Sequence, residues 1–136
     1  MSFDLVKQDF SKAAEQGYTF ELKLPTGAPS GATLTILGDM SPTVKNYSRK
    51  KFAEFQQKQA IAKRKNKDPE DMSLDEAEEL AVESALVRLV AWAGIKENGA
   101  DVVFSKDKAA EVLKAHPWIR EAIVQEASDV TSFCPK

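Results

Sequence analysis

A single histidine, His116, and a single cysteine, Cys134, bound the acid–base and covalent chemistry open to this chain. A Ser-His-Asp triad would have one possible base, and a histidine-rich metal site cannot be assembled from one copy. His116 directly precedes Pro117 at a helix junction, a place for capping or surface exposure more than for catalysis. Cys134 has no second Cys or His close by in sequence, so nothing there would generate a thiolate, and no internal disulfide can form. Two glycine-bearing stretches, Gly27 to Gly31 and Gly94 to Gly99, lack both the GxxxxGK[ST] and the GxGxxG pattern and read as turns. The acids between Asp68 and Glu83 would suit a hard cation, but no Asp-x-Asp-x-Asp-Gly loop with a closing Glu is present. They read as a solvated helix start. The expectation is a protein without enzymatic activity, cofactor or bound metal.

Charge carries more information than reactive groups do. From Ser41 to Lys67 there are nine basic residues and one acid, Glu54; from Asp68 to Glu83 there are eight acids and no base. A net charge of -2 thus conceals two opposed segments, each able to attract a complementary surface over a Debye length of roughly 8–10 Å. The candidate residues for partner binding or self-association are Arg49, Lys50, Phe52, Phe55, Ile61, Lys63, Arg64 and Lys65. Three readings of the basic run stay open: a solvated face, a surface for a protein partner or another copy's acidic segment, and a single-stranded nucleic-acid site with aromatic stacking. The sequence pI near 5.5 argues against a dedicated nucleic-acid binder. Phe52 and Phe55 share a helical face and are expected to anchor that helix to the hairpin described next.

The elements that would position these residues are legible from periodicity. Residues 4–16 place Leu5, Val6 and Phe10 about a helical turn apart, ending at Gly17. Tyr18 to Leu24 alternates apolar and polar, the pattern of a half-buried strand, and Ala32 to Leu37 reads as a second strand across the Pro25–Gly31 loop. Ser41-Pro42 opens a helix running to about Asn66, whose second half has too few apolar residues to be held in a core and should project. Ser73-Leu-Asp-Glu76 is a capping box for a helix whose second half, Leu86 to Ala93, should be the buried centre of the protein, with Gly94 as its stop. Asn98-Gly99 predicts a tight turn, Val102 to Phe104 a short strand or extended linker. Ser105 caps a helix to about Ala115, and Pro117 opens a last one from Trp118 to about Asp129.

Together these predict an α+β fold, mostly α-helical, with an N-terminal β-hairpin packed on a helical bundle. At 136 residues one domain is expected, divided into a hairpin (17–40), a basic projecting helix (41–67), a helical core (68–130) and a loose tail (131–136). No apolar run approaches the roughly 20 residues of a membrane span, and the first residues lack the basic and apolar regions of a signal peptide. A cytoplasmic protein is the expectation.

The segment Leu86-Val-Arg-Leu-Val-Ala-Trp-Ala-Gly-Ile95, the Asn-Gly turn, Val103-Phe104-Ser105, Ala110-x-x-Leu113-x-x-x-Pro117-Trp118-Ile119 and the closing helix resemble the tail assembly chaperones of long-tailed bacteriophages. The hairpin and the helix opening at Ser41 look like the front half of the same small proteins. The resemblance spans about residues 18–133. It implies a non-enzymatic task in the cytoplasm of the bacterial host: coating the long, helical tape measure protein until the tail tube polymerises around it. It also implies self-association, and absence from the mature virion. Two other readings accompany it: a nucleic-acid-binding regulator using the basic helix 45–67, and a structural tail or head-completion protein.

Overall fold

The structure, a computed structural model, describes residues 4–5, 10–65, 73–129 and 133. In chain order the elements are α1 (Ser11–Gln16), β1 (Tyr18–Lys23), β2 (Pro29–Ile36), α2 (Pro42–Arg64), α3 (Leu74–Arg88), β3 (Leu89–Ala93), β4 (Lys96–Glu97), β5 (Ala100–Asp101), α4 (Lys106–Ala115) and α5 (Pro117–Ser128). The architecture is the mostly helical α+β arrangement expected, with strands near the N-terminus packed against helices.

β1 and β2 form the predicted antiparallel hairpin, with Tyr18 opposite Ile36 and Phe20 opposite Leu34. The alternation in the sequence sends Phe20, Leu22, Leu34 and Ile36 to one buried face. That face meets Ala85, Leu113, Ile119, Ile123 and Ala127 from the helices, which closes the core. The second strand starts earlier than expected. Pro29 begins it, pairing with Lys23 across a bulge, and Pro is tolerated as the first residue of a strand because no ladder donor is needed there.

The larger departure concerns Leu86 to Ala93. The helix stops at Arg88, and Leu89–Ala93 becomes a third strand antiparallel to β2, in sheet order β1-β2-β3. An apolar run of this length suits a buried helix or a buried strand equally. The free edge of β2 decides, since its backbone N–H and C=O groups would otherwise lie unpaired against the core. Arg88 and Lys106 secure the changeover. Arg88 Nε donates to Asp39 Oδ1 at 2.8 Å, while Lys106 Nζ donates to the carbonyls of Leu86 and Leu89, each at 2.7 Å. Burial holds the Lys106 ammonium below its usual pKa.

Helix starts follow the sequence closely. The hydroxyls of Ser41, Ser73 and Ser105 accept from Thr43 N, Glu76 N and Lys108 N at 3.1–3.2 Å, and Pro117 occupies the first turn of α5. Asn98 and Gly99 turn β4 into β5 with positive φ of 53° and 82°, the tight turn expected there. Val102 to Phe104 is extended linker.

Of the N-terminal helix only Ser11–Gln16 is helical among the described residues; Leu5 is exposed, and Val6 lies outside them. The expected loose tail is corrected at one position. Phe133 is buried, meets the Tyr18 ring edge-on at 5.6 Å and lies over Gly38, so the chain returns to the core there. The rest of 130–136, Cys134 included, lies outside the described residues, as do the acids of 66–72.

Glu15 ties α1 to the start of α2. Its carboxylate accepts from the Ser41 and Thr43 hydroxyls and from Thr43 N, a second cap on the helix. These bonds, the one from Ser41 first, hold the Glu15 pKa below the ordinary 4.5. The stabilisation is therefore complete above that ordinary value and fades as pH falls through the lower folded-state value. Glu15→Gln is expected to reduce thermal stability slightly at pH 7 and to flatten the acid limb of a melting-temperature profile below about pH 4.5. An unchanged acid limb would remove this contact from the account.

Candidate docking surface

α2 runs 23 residues, about 34 Å at 1.5 Å per residue, from a buried start to an exposed end. Among its residues only Val44 is fully buried. Three residues on, nearly a full turn, the Tyr47 ring is half-buried, and its hydroxyl is enclosed with no hydrogen-bond partner among the described residues. That burial, more than the Glu83 carboxylate, raises its pKa. Lys51 then crosses to α3, pairing with Glu83 at 2.9 Å and with Glu54 at 3.4 Å, over the Tyr47 ring. The hydrogen bond that Lys51 donates to the Glu83 carboxylate raises the Lys51 pKa. So one cation of the basic segment is neutralised by the acidic segment inside the same chain.

Beyond Lys51 the helix has little cover. Phe52 is 62% exposed and Phe55 57%, so they do not anchor α2 to the hairpin as expected. The hairpin's apolar face is already closed by α3, α4 and α5, which leaves no surface for them. At 100° per residue the eight candidate residues also divide. Phe52 and Phe55 lie roughly 60° apart, with Arg49 and Lys63 on the same side. Ile61 falls roughly 180° from Phe52, among Lys50, Arg64 and Lys65. One stripe is aromatic and cationic, the other mostly cationic. Among the described residues Lys50, Lys63, Arg64 and Lys65 make no ion pair.

The sequence reading missed a groove on the opposite charge pole. Between α3 and α4 lies an open cleft of about 300 Å³, with Val82, Leu86 and Ala110 as its floor and Glu78, Glu79, Glu83, Glu111 and Lys114 around it. The signal was present: Glu78, Val82 and Leu86 recur every four residues, so acids and apolar groups share one face of α3. Reading the acids only as a solvated helix start hid it.

His116 is exposed at the α4–α5 junction. Its N–H donates to Val112 O and its carbonyl accepts from Ile119 N, both at 3.0 Å, so the capping role it was expected to fill is a backbone one. It borders a second cleft of about 360 Å³, where Lys108 pairs with Glu97 at 2.9 Å and Glu111 at 3.5 Å. Among the described residues no three His, Cys, Asp or Glu converge on a metal position, and no helix is long and apolar enough to cross a membrane.

Residues 43–136 match the family described as the YdaY prophage protein, which takes in everything from the first turn of α2 to the end of the chain. The chain belongs to that family. The match covers both charge poles, α2 and the α3–α4 groove, and leaves out the β1–β2 hairpin. It establishes a phage- or prophage-associated protein, a coarser statement than the tail assembly chaperone suggested by resemblance. No curated protein and no solved structure matches.

Proposed function

We propose that this prophage protein is a non-enzymatic tail assembly chaperone, which binds the tape measure protein in the host cytoplasm and keeps it soluble until the tail tube forms. The observation that carries this reading is the Phe52–Phe55 stripe on α2. Two large aromatic side chains stand in solvent on a helix whose other end is fixed in the core, and cations flank them. A long helical client exposes apolar stripes of its own, and a helix lying along such a stripe is an established mode of recognition. Burying two aromatics gives enough affinity to shield the client. The flanking charges act mainly on rate and orientation, so the complex can still release.

Co-expression with the tape measure protein of the same prophage tests this, read by size-exclusion chromatography with light scattering. Co-elution is expected, with the client soluble only in the pair. Phe52→Ser with Phe55→Ser should weaken the complex by about tenfold or more while leaving the circular dichroism spectrum unchanged. An insoluble client beside the wild-type protein would sink the proposal. Nucleic-acid binding whose affinity falls steeply with salt would instead favour a regulator acting through α2.

A further inference from the structure

The geometry points to a second copy of this chain as the occupant of the α3–α4 groove, with the Phe52–Phe55 stripe of one molecule lying in the groove of the next. The groove floor is apolar, made by Val82, Leu86 and Ala110, and its volume of about 300 Å³ matches aromatic side chains better than a whole domain. Its rim is acidic. Glu78 and Glu79 make no ion pair among the described residues, although they border an apolar surface. An occupant must therefore be aromatic or aliphatic at its centre and cationic at its edge. The α2 stripe has this chemistry, with Phe52 and Phe55 at the centre and Arg49 and Lys63 beside them.

Within one molecule the two surfaces do not meet. The Lys51–Glu83 pair fixes α2 alongside α3, yet Phe52 and Phe55 stay more than half exposed. Since α2 is one continuous helix, it cannot bend back to seat them. What is left unmatched in each copy is a donor stripe on α2 and an acceptor groove between α3 and α4, which adjoin at the Lys51–Glu83 pair. Contact between unlike surfaces is heterologous, so each copy can engage two neighbours, and the product is a ring or an open chain. The formal net charge of -2 is small enough that general repulsion between copies does not oppose this. The contact stands apart from the chaperone reading, although a client on the α2 stripe would compete with it.

Sedimentation velocity of the full chain across a concentration series, at low and high salt, tests the contact. Self-association is expected for the wild type, weaker at high salt because the rim charges are screened. Two surface variants separate the halves: Phe52→Ser with Phe55→Ser removes the stripe, and Glu78→Lys with Glu79→Lys reverses the rim. Each alone should lower the association constant by about tenfold or more. Mixed together they keep one intact stripe and one intact groove, so they should form a one-to-one pair that grows no further. A wild type that stays monomeric overturns the inference, as does an oligomer whose size neither variant changes, or a mixture that fails to pair. A monomer that still solubilises the tape measure protein would overturn this contact alone and leave the chaperone proposal standing.

Discussion

Gly94→Ala should destabilise the protein by about 2–4 kcal/mol, more than an ordinary glycine substitution outside the core. Gly94 follows β3 with φ of +76°, a region that costs an L side chain roughly 1–2 kcal/mol. A Cβ placed there would also come within 2.5 Å of the Gly31 carbonyl oxygen and 3.3 Å of Ala32 Cα. Both are backbone atoms of β2, so they cannot turn away as a side chain would. Relief would require β3 to slide along β2, against the pairing of Thr33 with Ala93 and Leu34 with Trp92. Thermal unfolding followed by circular dichroism would show the change as a drop in melting temperature of several degrees. Gly94 as a mere helix stop predicts about 1 kcal/mol or less, so a drop of a degree or two would contradict the close approach to β2.

That residue marks where sequence and structure part. The serine caps at 41, 73 and 105 and the proline at 117 were readable because a cap is local: one side chain meets a donor two or three residues on. The β1–β2 hairpin was readable for a similar reason, since period-two alternation directly encodes which face is buried. The run Leu86 to Ala93 carries no such local signature. Its state depends on a strand some fifty residues earlier whose edge needs a partner, and periodicity within the run does not register that. The docking surface shows the same limit. The sorting of charge into two poles was plain, and so were the aromatic residues among the cations. Which aromatics remain in solvent was not, because it depends on the hairpin having already spent its apolar face on α3, α4 and α5. The α3–α4 groove needed both helices in place before its floor existed at all.

The second large effect is expected at Trp92, and the outcome divides by substitution. The sequence suggested a fully buried residue; the side chain is in fact half-buried on β3, opposite Leu34. Its indole Nε1 donates to the Val102 carbonyl at 2.8 Å, and its ring meets Phe104 edge-on at 5.0 Å between centroids. Trp92 therefore pins the linker after β5 to the sheet, through one hydrogen bond and one aromatic contact. Trp92→Ala removes both, together with much of the ring's buried area, and should cost about 3 kcal/mol, at the lower end for a Trp truncation because the ring is not fully enclosed. Trp92→Phe keeps most of the apolar contact and loses the donor, leaving Val102 O to find water, for about 1 kcal/mol. Chemical denaturation of the two variants with the wild type gives both differences directly. If Trp92→Phe costs as much as Trp92→Ala, the hydrogen bond to Val102 is the main tie and the packing is minor. Near-equality of Trp92→Phe with the wild type would make the ring against Phe104 the whole of it. The intermediate value is expected because the linker is exposed at Val103 and can rehydrate one carbonyl, but has nothing else with which to cover the sheet.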